Sequence, residues 1–389
     1  MLIQQPDPES AMEEKRGGKE GLLHLLTMMG APEFDAESYG RSESLTGILE
    51  NQECMLANPD EGSPETVKYW EERGLKKKLH QADVLAEKWA SYLPMSYVNG
   101  TAPGKTYPLL FVMHGSGNPI YLAESYGYTH IAAREELIVI IPETETPEKL
   151  EELFAYAKEH YPVDWSRVYM VGYSLGGFMT ARHGIRWPER FAAVGIGGML
   201  FANGPTGVHK QNDVVWPEET ITPQMVEHAA EVKLPVCVCM GESEILGLLP
   251  IGKDEPDFTP PGGDASEEKA DRIDLSGRNK IASVNNWRQI AGCPRISEEK
   301  VREAARYSPD IVTEKLGFPM ERTSVELREG RSHFIGDCVN AEGRNLARFV
   351  CMGKSAHWPS RALTEMTWEF IRRFSRNQAT GQIEETGKA

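Results

Sequence analysis

The stretch that most constrains this chain is Val168–Thr180, which reads Val-Tyr-Met-Val-Gly-Tyr-Ser-Leu-Gly-Gly-Phe-Met-Thr. An apolar, β-branched run ends in a glycine-flanked serine, and a helix-compatible segment follows at once. This order of strand, sharp turn and helix is the context of a nucleophile elbow at Ser174. The glycines let the two arms of the turn approach closely, and the helix N-terminus offers N–H donors to an oxyanion. The five residues Gly172–Gly176 also occur by chance in other proteins. A catalytic role for Ser174 therefore requires that the rest of the chain supply a base, an acid and an oxyanion hole.

Strands and helices alternate from about residue 92, which predicts an α/β fold with a mostly parallel central sheet and helices on both faces. Tyr107–Met113 is a continuous apolar run, as expected of a strand buried on both faces. Val236–Met240 and Leu346–Met352 have the same character. A closing helix is predicted from about Pro359 to Phe374.

The first 91 residues differ from the rest because they are polar, charged and helix-prone. We predict a helical extension over residues 1–91 that docks on the main domain or serves homo-oligomerisation. Its main element is a helix from Thr66 to about Tyr92, with a break near Gly74.

The catalytic domain is predicted over residues 92–376, with a polar tail at 377–389. Two stretches, 199–231 and 246–343, interrupt the alternation of strands and helices. Insertions in such a sheet commonly lie over the carboxyl ends of the strands, where ligands bind, so both are predicted to form a cap.

Charge and cysteine usage limit the partners and the compartment. A net charge of −16 argues against nucleic acid or an anionic membrane as partner, since both need basic patches. No apolar run has the length of a membrane span. The six cysteines include no C-x-x-C pair, so we expect no metal site and a reduced, cytoplasmic protein.

The base is predicted to be His357, because it follows the last strand in a short loop and precedes the last helix. A histidine in that position can reach the serine as a general base. His228 and His333 also follow Ser174, but a surface helix and a polar hairpin are more typical of solvated side chains.

The acid should lie just after Val236–Met240, where the chain reads Gly-Glu-Ser-Glu-Ile-Leu. A carboxylate there would hold the imidazole in the required tautomer and stabilise its cation. Glu244 is the first choice, Glu242 the second and Asp254 the third.

The oxyanion hole is predicted where the strand ending at Met113 runs into His114-Gly115-Ser116-Gly117. Small residues there let a backbone N–H point into the pocket. We expect the N–H of Ser116 to act beside the N–H of Leu175.

Several longer motifs carry a family likeness: His114-Gly115, Val163–Tyr169, Gly172–Gly177, Trp187–Ala193, Asn286-Trp287 with Gly292-Cys293, and Ala356–Pro359. Together they resemble the polyhydroxybutyrate-depolymerase and feruloyl-esterase branch of the α/β-hydrolases. The resemblance implies a serine carboxylesterase without a cofactor, with Ser174 as nucleophile and His357 as base. The acid of that family falls on Glu244, and a residue that is often cysteine in the family is Ser116.

A small soluble ester is the expected substrate, such as an aromatic, cinnamoyl or hydroxyacyl ester or a lactone. The alternatives are a serine peptidase of the prolyl-oligopeptidase type and a ligand-binding protein that keeps the fold without catalysis. The candidates for the substrate pocket are aromatic residues near the elbow, the insertions and the base: Tyr173, Phe201, Trp216, Trp287 and Trp358.

Overall fold

The computed structural model describes the protein over residues 64–81, 88–115, 120–124, 126–143, 146–200, 209–211, 214–216, 221–242, 244, 246–256, 274–355, 357 and 359–385. Most of the predicted N-terminal extension, residues 1–63, lies outside this range. In the described part of the chain, no helix has both the length and the apolar character needed to cross a membrane.

One large sheet forms the centre of the protein. Its strands are β1 Leu75–Gln81, β2 Lys88–Pro94, β3 Tyr107–Met113, β4 Ile138–Pro142, β5 Val163–Tyr173, β6 Ala193–Gly197, β9 Val236–Gly241, β10 Arg322–Arg328, β11 Arg331–Val339 and β12 Asn345–Met352. The ten strands lie in the order β1-β2-β4-β3-β5-β6-β9-β12-β11-β10. The strands from β4 to β12 in this order are parallel, and the two at each edge are antiparallel to their neighbours.

Two short hairpins form separate two-stranded sheets that do not pair with the large one. They pair β7 His209–Gln211 with β8 Val214–Trp216, and β13 Phe374–Arg376 with β14 Ile383–Glu385. The predicted polar tail at 377–389 contains β14, in which Ile383 is buried.

Helices connect the parallel strands, as predicted. They are α1 Pro64–Glu71, α2 Met95–Val98, α3 Ile120–Glu124, α4 Tyr128–Glu135, α5 Pro147–His160, α6 Leu175–Arg186, α7 Pro223–Val232, α8 Gly277–Ile290, α9 Glu298–Arg306, α10 Ile311–Leu316 and α11 Arg361–Ile371, with a 3₁₀ turn at Pro188–Arg190. Local signals set several starts: the Thr146 hydroxyl accepts from the N–H of Lys149, and Pro147 occupies the first turn of α5.

The helix predicted from Thr66 to about Tyr92 is wrong beyond Glu71, because β1 and β2 occupy most of that range. The lysine-rich sequence of β1 favours a helix by propensity, but tertiary contacts override it. Lys77 is buried against Glu124 of α3, and Glu124 also accepts a hydrogen bond from the Trp70 indole at 2.8 Å. The predicted boundary at residue 92 therefore falls inside β2, in the same sheet as β5, the strand that precedes Ser174.

The insertion predicted at 246–343 includes strands of the central sheet. It contains β10, which pairs with β11 and extends the sheet beyond β12. His333 lies in β11 and is fully buried, so its interpretation as a solvated hairpin side chain is wrong. Burial lowers the pKa of His333 to about 4.

The parallel strands bring four loops to one edge of the sheet. The strands β5, β6, β9 and β12 are successive neighbours and point the same way, so their carboxyl ends meet there. Ser174 follows β5, Gly198 follows β6, Glu244 follows β9, and His357 lies shortly after β12. Residues far apart in the chain are thereby collected at a single place.

We predict that Lys77→Met will destabilise the protein by about 3 kcal/mol, because it leaves the Glu124 carboxylate buried without its cation. The free energy of unfolding from urea denaturation measures this loss. Lys76→Met is the matched control, since Lys76 pairs with Glu71 at the surface and such pairs contribute about 1 kcal/mol or less. Equal small effects of both substitutions would contradict the role given to the β1–α3 contact.

Candidate active site

Ser174 lies at the sharp turn between β5 and α6, in a strained backbone conformation. Its φ is +57° and its ψ is −119°, a region that residues other than glycine rarely adopt. The N–H of Ser174 donates to the carbonyl of Gly197 at 2.9 Å, and the serine carbonyl accepts from the N–H of Phe178 at 3.0 Å. These contacts hold the turn, as predicted for a nucleophile elbow.

Three glycines are needed because the turn packs backbone against backbone. A Cβ on Gly172 would lie 2.2 Å from the carbonyl oxygen of Gly176. A Cβ on Gly176 would lie 2.3 Å from the carbonyl oxygen of Met113, and one on Gly177 would lie 2.5 Å from that of Gly197. No side chain fits such gaps, so the glycine pattern around Ser174 is a steric requirement of the fold.

His357 and Glu244 form a buried hydrogen-bonded pair. The Nδ1 atom of His357 lies 2.9 Å from Oε2 of Glu244, and both residues are 4% exposed. The second carboxylate oxygen accepts from the N–H of Gly241 at 2.5 Å, which fixes the carboxylate against the end of β9. Because an ionised carboxylate only accepts, the imidazole donates through Nδ1, and Nε2 is left to accept a proton.

The His357 ring lies beside the elbow. Its centroid is 5.2 Å from that of Tyr173, the residue before the serine. Gly198, with a φ of +58°, passes so close that a Cβ there would lie 3.0 Å from Cε1 of His357. The start of the loop after β6 thus packs against the imidazole.

The other two candidate acids have different partners. Glu242 pairs with Lys315 at 2.6 Å and accepts from the N–H of Lys354 at 2.9 Å. Burial raises the pKa of Glu242, but these hydrogen bonds outweigh it and hold the pKa below its usual value. Asp254 accepts from the N–H of Gly277 at 2.8 Å, at the start of α8. The contact with His357 therefore favours Glu244 as the acid.

A buried lysine supports the turn that follows Glu244. The ammonium of Lys280 donates to the carbonyl of Gly247 at 2.9 Å, and the N–H of Gly247 donates to the carbonyl of Glu244 at 3.1 Å. Burial lowers the pKa of Lys280 to about 8.

One of the two predicted oxyanion donors lies in the described structure. Leu175 is the first residue of α6, so its N–H belongs to the helical turn whose donors have no partner inside the helix. Ser116 lies outside the described residues and stays a prediction. The preceding residue, Gly115, donates its N–H to the Tyr126 hydroxyl at 2.9 Å. The Tyr126 ring lies 6.2 Å from that of Tyr173.

The predicted pocket residues are only partly placed. Tyr173 is 6% exposed and lines a small cavity with Tyr126, Tyr128 and Cys239. Trp287 is 1% exposed and belongs to the hydrophobic core, so its assignment to the pocket is wrong. It lies on α8, whose buried face packs into the core. Phe201 and Trp358 lie outside the residues that the structure describes, and so does the side chain of Trp216.

One cluster has the residue types of a metal site. Cys293, Glu321 and Cys338 bring their potential ligand atoms within 4.8 Å of one another. Arg288 already occupies this cluster, because its guanidinium contacts both oxygens of Glu321 and donates to Cys338 Sγ at 3.6 Å. A resident cation beside the same donors argues against a metal ion there.

Two contacts of the site had no clear signal in the sequence. Tyr126 reaches Gly115 across the sheet edge from the turn between α3 and α4, and nothing in its local sequence marks it. Gly198 left a weaker trace, since it forms a Gly-Gly pair with Gly197 directly after a strand. Such a pair indicates close backbone approach.

The mostly parallel sheet, its flanking helices and the strand–elbow–helix unit at Ser174 define an α/β-hydrolase fold. The buried His–Glu pair beside the elbow is the arrangement of a serine hydrolase site. No protein-family model matches the sequence, and no curated protein sequence matches it.

Solved structures provide distant likenesses. An S-formylglutathione hydrolase (FrmB) from Staphylococcus aureus is 16% identical, covering 43% of this chain and 76% of its own, with a TM-score of 0.34. A ferulic acid esterase is 19% identical over 43% and 78%, with a TM-score of 0.33. An acetyl xylan esterase from Aspergillus awamori is 12% identical over 76% and 99%, with a TM-score of 0.42. Because these likenesses are distant, the fold assignment rests on the sheet topology and the elbow.

We predict that Glu244→Gln will slow fluorophosphonate labelling of the protein by a factor on the order of 10⁴, since an amide no longer fixes the tautomer or stabilises the imidazolium. The labelling rate constant measures this effect. Asp254→Asn is the control and should label at nearly the wild-type rate. The assignment of the acid fails if the two substitutions exchange these results.

Proposed function

We propose that the protein is a serine carboxylesterase that hydrolyses a small ester through an acyl-enzyme on Ser174. The observation that carries this proposal is the 2.9 Å contact between His357 Nδ1 and Glu244 Oε2, buried beside a serine in a strained elbow. Burying this pair and straining this turn both cost free energy, which a purely structural role does not require.

In the proposed reaction, His357 Nε2 takes the proton of the Ser174 hydroxyl as the oxygen attacks the ester carbonyl. The new C–O bond gives a tetrahedral oxyanion, which accepts hydrogen bonds from the N–H groups of Leu175 and Ser116. The bond to the alcohol then breaks, and His357 returns the proton to the departing oxygen. Water, activated by the same imidazole, releases the acid and restores the serine.

The oxyanion donors and Glu244 would stabilise the charges that form in the transition state. Each oxyanion donor contributes about 3 kcal/mol of transition-state stabilisation. The N–H of Leu175 also carries the partial positive charge at the start of α6. Glu244 keeps its charge against the imidazolium that forms during attack, so the base gains a proton at lower cost.

An uncharged ester is the preferred substrate within this proposal. The net charge of −16 repels anionic molecules at long range, so an anionic acyl group would gain nothing from steering. Tyr173, Tyr126 and Tyr128 lie close to the elbow, where they are buried around a small cavity. Aromatic, cinnamoyl and hydroxyacyl esters and lactones therefore head the panel to be tested.

The proposal extends to the compartment and to assembly. The described cysteines Cys237, Cys239, Cys293, Cys338 and Cys351 are free thiols, which supports a reducing environment such as the cytoplasm. Oligomerisation through the N-terminal residues stays a prediction.

We predict that the wild-type protein will hydrolyse short-chain p-nitrophenyl esters, and that Ser174→Ala will lower kcat by a factor on the order of 10⁴ or more, because the acyl-enzyme can no longer form. Initial rates on short-chain, long-chain and cinnamoyl esters and on lactones measure this. Cleavage of peptidyl amides at matching rates would favour the peptidase alternative. Ligand binding without turnover of any ester, unaffected by Ser174→Ala, would support a binding protein.

A further inference from the structure

The loop that carries His357 is held by side chains at one residue, Lys354. Lys354 lies in the left-handed region with a φ of +50°, although it is not a glycine. Such a conformation persists where the surroundings over-determine it. Because His357 follows only three residues later, the direction of this turn decides where the imidazole lies.

Two side chains of opposite charge hold the two polar backbone groups of Lys354. The carbonyl accepts from the guanidinium of Arg331, and the N–H donates to Oε2 of Glu242 at 2.9 Å. Arg331 also reaches the carbonyl of Gly353 at 3.5 Å. Hydrogen bonds to charged groups are the stronger ones, so this arrangement fixes the two peptide groups on either side of the Lys354 Cα atom.

Each of the two side chains is itself anchored. Arg331 is 5% exposed and begins β11, and the carbonyl of the next residue, Ser332, accepts from the N–H of Gly353 at 2.9 Å. Glu242 is anchored by its ion pair with Lys315 of α10 at 2.6 Å. Its own N–H donates to the carbonyl of Met352 at 2.9 Å. Arg331 and Glu242, which together we call the clamp, therefore join the end of β9, the end of β12 and the β10–β11 hairpin.

The β10–β11 hairpin supplies one of the two side chains that hold Lys354. The hairpin lies beyond β12, away from the elbow, and contributes Arg331 at its turn-proximal end. The neighbouring arginine, Arg328, instead binds Glu326 and Glu369 at the surface. One arginine of the hairpin faces the histidine loop, and the other offers a matched comparison.

We propose that Arg331 and Glu242 are positioning residues that hold Lys354 and thereby set the orientation of His357 toward Ser174 and Glu244. The inference rests on the proposed role of His357 as the general base. Neither side chain touches the reacting atoms. Their effect is on the placement of the imidazole, and small misplacements of a catalytic group are costly.

The test compares Arg331→Met and Glu242→Ala with Arg328→Met. We expect each of the first two to lower kcat on the best ester by a factor on the order of 100 with KM little changed, because the imidazole moves while the substrate surface stays. Arg331→Lys restores part of the loss by supplying one donor. The double variant Arg331→Met, Glu242→Ala should lose little more than the worse single variant, since both side chains hold the backbone of one residue, Lys354. Arg328→Met should retain wild-type kcat.

A second readout does not depend on turnover. The proton in the His357 Nδ1 to Glu244 hydrogen bond gives a low-field NMR signal in protein labelled with ¹⁵N-histidine, assigned by its loss in His357→Gln. We expect this signal to shift or broaden in Arg331→Met and Glu242→Ala and to stay in place in Arg328→Met. Circular dichroism melting identifies any variant that fails to fold, and the other clamp variant then carries the test.

The outcomes separate the two proposals. Folded Arg331→Met and Glu242→Ala proteins with wild-type kcat and an unmoved signal would overturn the clamp while leaving the esterase proposal intact. A wild-type protein that hydrolyses no ester would overturn the proposed function. The NMR signal then decides alone whether the clamp orients His357.

Discussion

The close approach of backbone to backbone at the Ser174 turn is the constraint on which the rest of the site depends. Because Gly172, Gly176 and Gly177 have no side chain, the start of α6 can pack against the backbone of β5, β3 and β6. A Cβ atom on any of the three would lie 2.2–2.5 Å from a neighbouring carbonyl oxygen. The contact with Met113 ties the start of α6 to the end of β3, which leads into the predicted oxyanion loop. The serine, the helix N-terminus and the end of β3 are thus positioned by a single packing arrangement.

Parallel pairing does the remaining assembly. Since β5, β6, β9 and β12 are neighbours with a common direction, the loops after them meet at one edge. The pair of His357 and Glu244 joins two of these loops through a buried hydrogen bond. The two glutamates that follow β9 have different contacts. Glu244 contacts the imidazole of His357, and Glu242 accepts from the backbone N–H of Lys354 in the loop that carries this histidine. Each carboxylate has its own donors: the N–H of Gly241 for Glu244, and Lys315 with the N–H of Lys354 for Glu242.

The sequence predicted the parts of the fold whose physical signals are local. Tyr107–Met113 and Val236–Gly241 are buried on both faces, and their continuous apolar runs identified them as strands. The elbow could be predicted because its tight turn has room only for glycine at Gly172, Gly176 and Gly177, and this pattern is visible in the sequence. The positions of His357 and Glu244 could be predicted because strand order fixes which loops converge.

The failures come from tertiary contacts that override local preference. The lysines of β1 favoured a helix, whereas a buried ion pair from Lys77 to Glu124 and pairing with β2 make this segment an edge strand. Trp287 suggested a pocket wall but fills the core, since an isolated aromatic residue carries no sign of which face of its helix is buried. The β10–β11 hairpin adds to the sheet edge through ladder pairing that no local pattern encodes. Arg331 was missed for the same reason.

The central claim is that Ser174 is the nucleophile activated by His357 and Glu244. Peptide mapping by mass spectrometry after treatment of the folded protein with a fluorophosphonate tests it most directly. We predict one adduct per chain, on the peptide that contains Ser174, and no adduct after unfolding of the protein before treatment. Absence of an adduct on the folded protein, or an adduct on another residue, would contradict the account.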